Sequence, residues 1–230
     1  THGPGTAAAK SVTSTIPIVM ALSGDPVATG LVASLARPGG NVTGMTGINP
    51  EVAAKRLDLL KEAFPRTRLV AVLFNPDSAG ATLSLRAMED TARSLKLDLQ
   101  QYSVRRPVDI DSAFAAMAKR RVDAVVSTDE PALTVNARVI ANLAAKTRLP
   151  SIGLTELAEA GGLMAYGPSR REMFRRSAYF VDRIFKGAKP GDLPVEQATR
   201  FETVLNLKTA KALGIQFPQS VLARADKVIE

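Results

Sequence analysis

The sequence predicts an α/β fold, in which short buried strands alternate with amphipathic helices. Four short apolar runs rich in β-branched residues have the composition of strands, and longer stretches with an apolar residue every three or four positions separate them. Strands that alternate with helices form parallel sheets joined by right-handed crossovers. The predicted strands are Ile16–Met20, Leu69–Phe74, Asp123–Ser127 and Ser151–Leu154. The second is apolar almost throughout, which is typical of a strand that helices cover on both faces.

Amphipathic helices are predicted between and after these strands. The first begins at Asn49-Pro50, a cap followed by a first-turn proline, and the second begins near Ser78. The last opens on the capping-box pattern Ser169-Arg-Arg-Glu172 and stops at Gly187. The apolar stripes, in chain order, are Ala53, Leu57, Leu60 and Phe64; Leu85, Met88, Ala92 and Leu95; Ile110, Phe114 and Met117; Val135, Val139 and Leu143; and Met173, Ser177, Phe180 and Ile184.

Three stretches interrupt the alternation of strands and helices. They are Ala36–Asn49, Leu163–Ser169 and Gly187–Phe201. The first two are rich in glycine and adjoin short strands, so they are places where the chain could pass between two lobes. The pattern alone leaves a second interpretation open, in which they are ordinary loops of one large sheet.

Composition bounds the class of protein. A chain of 230 residues with 46% hydrophobic residues can bury the core of one or two domains. No apolar run approaches the roughly 18–20 residues that cross a bilayer. The first residues lack the charged and apolar regions of a signal peptide, so we expect a mature chain or one shortened at the front. The net charge of +8 is scattered, and there are only three Tyr and no Trp, so nucleic-acid binding is not expected.

Few residue types are available for catalysis. The absence of cysteine excludes disulfides, thiolate catalysis and cysteine-based metal sites. The single histidine, His2, lies near a terminus, so neither a Ser-His-Asp triad nor a histidine metal site is expected. No phosphate-binding glycine motif follows a strand, and we therefore expect no cofactor. Asp129 and Glu130 form a carboxylate pair, but adjacent residues point in different directions. An enzyme built only from Asp and Glu stays an open alternative.

Polar residues stand at the end of each predicted strand, where parallel sheets bind ligands. We therefore predict a polar-rimmed cleft, although Ser, Thr, Asn and Asp are also the preferred helix caps, so any single set fits capping equally well. Tyr166 is the aromatic residue expected to face the cleft, and its alternative role is a core or hinge tyrosine. The strand-end sets are Ser23, Gly24 and Asp25; Asn75, Asp77 and Ser78; Ser127, Thr128, Asp129 and Glu130; and Thr155 and Glu156.

Several of these segments together resemble a known family. The early segments are Ile16–Met20, Ser23–Val27 and Gly30–Gly44, and the later ones are Leu73–Pro76 and Glu159–Pro168. In this order and over nearly the whole length, they resemble the ABC transporter substrate-binding proteins related to tryptophan- and tyrosine-binding importers.

The resemblance implies two Rossmann-like lobes of the type I periplasmic-binding class, which close on a ligand. It places residues 1–47 and 164–204 in the first lobe and residues 48–163 and 205–230 in the second. Family members carry two further βα units before the Gly5-Thr6 turn. The first lobe is therefore expected to be incomplete, with an exposed sheet edge that invites self-association.

The resemblance also implies ligand contacts and partners. The carried-over positions are Thr6, Ser23, Asp25, Asn75, Asp129, Glu156 and, near the hinge, Tyr166. The hydroxyls of Thr6, Ser23 and Thr128 would then hold a carboxylate. Asp25, Asp129 or Glu156 would take an ammonium group, and Tyr166 would support the apolar part of the molecule. These roles fit an amino acid or a small aromatic acid.

A binding protein of this kind has a membrane permease as its partner and works in the periplasm or anchored outside the cytoplasm. Two alternatives to this function stay open. One is the ligand-sensing domain of a transcription regulator, for which no helix-turn-helix segment is found. The other is a small-molecule enzyme that uses carboxylates.

Overall fold

A computed structural model describes residues 3–47, 50–78 and 80–230. Its strands are β1 (Ile18–Ser23), β2 (Val42–Thr46), β3 (Leu69–Phe74), β4 (Asp98–Ser103), β5 (Ala124–Ser127), β6 (Ser151–Gly153), β7 (Met164–Pro168), β8 (Glu196–Gln197), β9 (Phe201–Asn206) and β10 (Lys227–Ile229). Its helices are α1 (Gly3–Val12), α2 (Pro50–Ala63), α3 (Ala81–Leu95), α4 (Val108–Arg120), α5 (Pro131–Thr134), α6 (Ala137–Lys146), α7 (Thr155–Glu159), α8 (Arg170–Phe185), α9 (Leu207–Leu213) and α10 (Gln219–Leu222). None of the helices in these ranges has both the length and the hydropathy that a bilayer crossing requires.

The chain divides into two compact units, and the larger, unit 2, comprises Asn49–Gly167 and Glu202–Glu230. Its sheet has the strand order β10-β9-β7-β6-β5-β3-β4. Strand β3, between β5 and β4, alternates between two cores, with Val70 and Val72 packed on one side and Ala71 and Leu73 on the other. The pairs β3–β4, β3–β5, β5–β6 and β6–β7 are parallel. Their carboxyl ends therefore lie along one edge of the sheet.

Unit 1 comprises Thr1–Ile48 and Pro168–Phe201. Its described strands form a parallel sheet in the order β1-β2-β8. Ile18 and Met20 of β1 pack in one apolar cluster, whereas Met173 and Phe180 of α8 pack in another. The two clusters give this smaller sheet a hydrophobic core of its own.

The predicted α/β class is confirmed, and each of the four predicted strands has a counterpart. The first begins at Ile18 instead of Ile16, and Ile16 is 65% exposed. Pro17 has no N–H for a sheet, so pairing starts after it, with the N–H of Ile18 donating to Asn41. The three interruptions in the alternation contain β2, β7 and β8. The predicted cap Asn49 lies outside the described residues.

The apolar stripe predicted for the fourth helix is wrong. Val135 is 79% exposed and Val139 is 40% exposed. The chain forms α5, a turn at residues 135–136, and then α6, which shifts the helical face that meets the core. The buried residues of α6 are Ala137, Ile140, Ala141 and Ala144. The face of α6 that meets the core therefore carries small side chains around Ile140, and the larger valines point outward.

The capping box predicted for α8 is also only partly present. Ser169 occupies the N-cap position, as predicted, but its side chain makes no capping hydrogen bond to the helix. The backbone N–H of Ser169 donates to the carbonyl oxygen of Arg200.

Candidate functional site

The carboxyl edge of the sheet in unit 2 gathers five of the predicted site residues. Asn75 follows β3, Thr128 and Asp129 follow β5, Glu156 lies in the first turn of α7 after β6, and Tyr166 lies in β7. Because these strands are neighbours in a parallel sheet, the residues line one edge. Thr128 is buried, and the other four are partly exposed. This edge is the candidate site of unit 2.

Arg56, on α2, connects β5 and β7 at this edge and is fully buried. Its Nε donates to the backbone oxygen of Tyr166 at 2.8 Å. Its Nη1 donates to the backbone oxygen of Ser127 at 2.9 Å and to Oδ1 of Asp129 at 2.5 Å. Nη2 is buried and has no hydrogen-bond partner among the described residues. One guanidinium therefore joins the end of β5 to the middle of β7 and orients a carboxylate of the candidate site.

Sequence reasoning missed Arg56, although the pattern contains a signal for it. The residue lies three positions after Ala53 and four before Leu60, both of which belong to the apolar stripe of α2. An arginine on an apolar stripe must find partners for its charge inside the protein. That spacing could have indicated a buried cation.

Asp129 and Glu130 enter different environments, as expected for adjacent residues. Asp129 contacts Arg56 and keeps 34% of its side chain exposed. Glu130 is 5% exposed and contacts the hydroxyl of Thr128. Burial raises the pKa of Glu130 to about 7; the hydrogen bond from Thr128 opposes this shift, and the negative charge of Asp129 adds to it. Nowhere in the described ranges do three His, Cys, Asp or Glu residues stand close enough to hold a metal ion.

A small cavity lies behind the candidate site. It is lined by Ser127, Thr128, Leu154 and Glu156, together with residues of the α5–α6 region. Its volume of about 10 Å³ is room for about one water molecule and far below that of a ligand pocket. Asn75 already uses Oδ1 to accept the N–H of Asp77 at 3.0 Å.

The predicted site residues of unit 1 lie in α1 and at the end of β1. Thr6, in α1, is fully buried, and Ser23, the last residue of β1, is 5% exposed. Asp25 is half-buried, and its Oδ1 accepts hydrogen bonds from the N–H groups of Val27 and Ala28 at 3.0 and 2.9 Å. One oxygen of Asp25 therefore stabilises its own turn, which is the capping role that the sequence left open.

A second concave region of unit 2 lies at the carboxyl end of β4. This groove of about 790 Å³ is lined by residues that include Asp77, Tyr102, Arg105, Arg106 and Asp109, of which Asp77 belongs to the predicted strand-end sets. Arg105 pairs with Asp77 at 3.1 Å, and Arg106 pairs with Asp109 at 3.3 Å. Because each of these arginines has an acidic partner in the groove, we do not assign the ligand to it.

The comparisons with known proteins agree with this architecture. The family model described as ABC transporter substrate binding protein matches residues 3–229. A tyrosine-binding protein of Clostridioides difficile (strain R20291) is 24% identical over 214 residues, which are 93% of this chain and 61% of that protein. The chain thus spans less than two thirds of that relative's length.

Two solved structures are similar over 99% of this chain, each with a TM-score of 0.87. One is a conserved domain protein from Vibrio cholerae O1 biovar El Tor, 29% identical, with 76% of its chain covered. The other is an ABC domain from Streptococcus pneumoniae in complex with L-Trp, 27% identical, with 78% of its chain covered.

Proposed function

Because this chain belongs to the family of ABC transporter substrate-binding proteins, we propose that it captures a small molecule for an importer and catalyses no reaction. The family resemblance found in the sequence is confirmed, as is the type I periplasmic-binding fold class. In the proposed role the partner is a membrane permease, and the protein works outside the cytoplasm.

The proposed ligand is an amino acid or a small aromatic acid, and an aromatic amino acid is the first to test. Two similar proteins support this choice through their descriptions: one is a tyrosine-binding protein and the other was solved with L-Trp. Polar side chains at the candidate site supply both carboxylates and amide groups, which suit the ends of an amino acid.

We propose that the ligand binds in the interlobe cleft that the family resemblance implies, with the candidate site of unit 2 forming one of its walls. The observation that carries this proposal is the gathering of Asn75, Thr128, Asp129, Glu156 and Tyr166 at one sheet edge. The cavity behind that edge has room for about one water molecule, so the ligand is proposed to lie in front of it, on the surface of unit 2. Capture would then follow from an open–closed equilibrium that the ligand shifts toward closure.

Within this arrangement the partly exposed residues are assigned to direct contact. Asp25 and Glu156 would accept an ammonium group, and Tyr166 would support the apolar part of the ligand. The hydroxyls of Thr6, Ser23 and Thr128 belong to residues that are at most 5% exposed, so we assign them to the support of the site from behind.

Calorimetric titration of the chain tests the ligand class. The panel contains L-tryptophan, L-tyrosine and indole-3-acetate, with L-leucine and D-ribose as controls of other classes. We expect one-to-one binding of at least one aromatic compound and none of the sugar. Absence of binding to all three aromatic compounds would overturn the proposed ligand class.

A panel of esters and glycosides tests the proposed absence of catalysis. We expect no turnover above that of the buffer. Hydrolysis that Asp129→Asn abolishes would assign the protein to the carboxylate-based enzymes instead.

A further inference from the structure

The positive charge of Arg56 offsets the negative charge of Asp129, a residue of the candidate site that a ligand would contact. Its guanidinium is fully buried, whereas its partner Asp129 keeps 34% of its side chain exposed. The buried cation of Arg56 therefore affects a ligand only through the exposed part of Asp129. A carboxylate held at 2.5 Å from a guanidinium presents much less negative charge to solvent than a free one.

The unfilled hydrogen bonds of Arg56 are the second observation. A guanidinium has five N–H donors, and those of Nη2 are buried without a partner among the described residues. A buried cation with unmet donors is a poor way to stabilise a core, and apolar replacements of such pairs are often neutral or stabilising. Its contacts with Ser127, Asp129 and Tyr166 all end at the candidate site.

We propose that Arg56 is a positioning residue that sets the charge of the accepted ligand: by neutralising Asp129, it makes this edge favour a zwitterionic amino acid over an amine cation. The inference rests on the proposed function. A zwitterion brings a carboxylate that an unpaired Asp129 would repel, and an amine lacking that carboxylate would be attracted by it.

The test compares two ligands that differ only in the carboxylate, L-tryptophan and tryptamine, or L-tyrosine and tyramine. The quantity measured is the ratio of the two dissociation constants, because a loss of structure alone would weaken both ligands together. In Arg56→Met we expect this ratio to move at least about tenfold toward the amine, a change of about 1.4 kcal/mol in relative binding free energy. In Arg56→Lys, which keeps the charge, the ratio should stay close to that of the unaltered protein.

Asp129→Asn keeps an oxygen that accepts from Nη1 and provides a second variant if Arg56→Met does not fold. It leaves the charge of Arg56 uncompensated, so the ratio should move in the opposite direction, toward the amino acid. The matched control is Arg224→Met, which removes an ion pair between Arg224 and Glu62, another residue of α2. In Arg224→Met the ratio of the two dissociation constants should stay that of the unaltered protein.

The outcomes are separable. If the unaltered protein binds one of the amino acids but the ratio is unchanged in Asp129→Asn and in folded Arg56→Met, the role of Arg56 is overturned and the proposed function stands. An equal shift in Arg224→Met also overturns that role. If the unaltered protein binds none of the four compounds but binds indole-3-acetate, this inference is overturned and the proposed ligand class stands; if indole-3-acetate does not bind either, both fall.

Discussion

The hydroxyl of Thr128 lies against the carboxyl group of Glu130, and both side chains are buried. The same hydroxyl lies 2.9 Å from the carbonyl oxygen of Leu73, at the end of β3. A hydroxyl has one hydrogen to donate, so an ionised Glu130 shares this donor with Leu73, whereas a protonated Glu130 can itself donate to Thr128 and leave the hydroxyl hydrogen to Leu73. The geometry therefore serves both protonation states, and with a raised pKa of about 7 the neutral state predominates below that pH.

Glu130→Gln should change how stability depends on pH. The pKa of Glu130 is raised from 4.5 to about 7 in the folded protein, so its stabilising contribution is complete below pH 4.5 and is lost as the pH rises to about 7. The loss amounts to about 3 kcal/mol. Glutamine is neutral throughout and its amide can donate to Thr128. We expect the unaltered protein to lose about 3 kcal/mol relative to Glu130→Gln between pH 4.5 and 8, measured by urea unfolding.

The control for this experiment is Glu159→Gln, which alters an exposed glutamate that pairs with Lys227. Its unfolding free energy should follow that of the unaltered protein across the pH range. Parallel curves for Glu130→Gln and the unaltered protein would show that folding does not raise the pKa of Glu130.

Asp25→Asn separates the two roles of Asp25. The amide oxygen of asparagine can still accept the N–H groups of Val27 and Ala28, and asparagine caps turns about as well as aspartate, so stability should change by less than about 0.5 kcal/mol. If the carboxylate holds an ammonium group, as proposed, the affinity for L-tryptophan should fall at least about tenfold in calorimetry. Asp77→Asn, in unit 2, is the control and should keep its affinity. Unchanged affinity in Asp25→Asn would leave this residue with its capping role alone.

The predictable part of this fold is the part whose pattern is local. The run Leu69–Phe74 predicts a strand, because a strand that helices cover on both faces consists almost only of apolar residues. Polar residues at strand ends were also visible, because parallel strands place them together. The contacts of Arg56 were not visible, since its partners Ser127 and Tyr166 are 71 and 110 residues away and contribute only backbone oxygens, which every residue has.

The face of α6 shows a second limit. A stripe of valines predicts the buried face only when large residues fill the core, and here alanines do so around Ile140. Ile140→Ala should therefore lower the unfolding free energy by about 2–5 kcal/mol, because the residue is 1% exposed and its removal leaves a cavity. Val139→Ala, on the exposed face, should change it by less than about 0.5 kcal/mol. Urea unfolding of the two variants measures both losses. A larger loss in Val139→Ala than in Ile140→Ala would show that the valine face is the buried one.

Gly44 controls the distance between β1 and β2 in unit 1. Its φ of +129° lies in the region that favours glycine, and a Cβ built there would lie 2.2 Å from the backbone oxygen of Met20. That oxygen belongs to the backbone of β1 and cannot turn aside as a side chain would, so Gly44→Ala must either separate the two strands or distort them. We expect it to cost more than about 3 kcal/mol and to expose unit 1 to protease before unit 2. Gly40→Ala is the matched control, since its Cβ would meet nothing within 4 Å. Limited proteolysis with mass-spectrometric mapping, alongside thermal unfolding, checks both variants. A Gly44→Ala protein as stable and as resistant as Gly40→Ala would show that the two strands can move apart without loss.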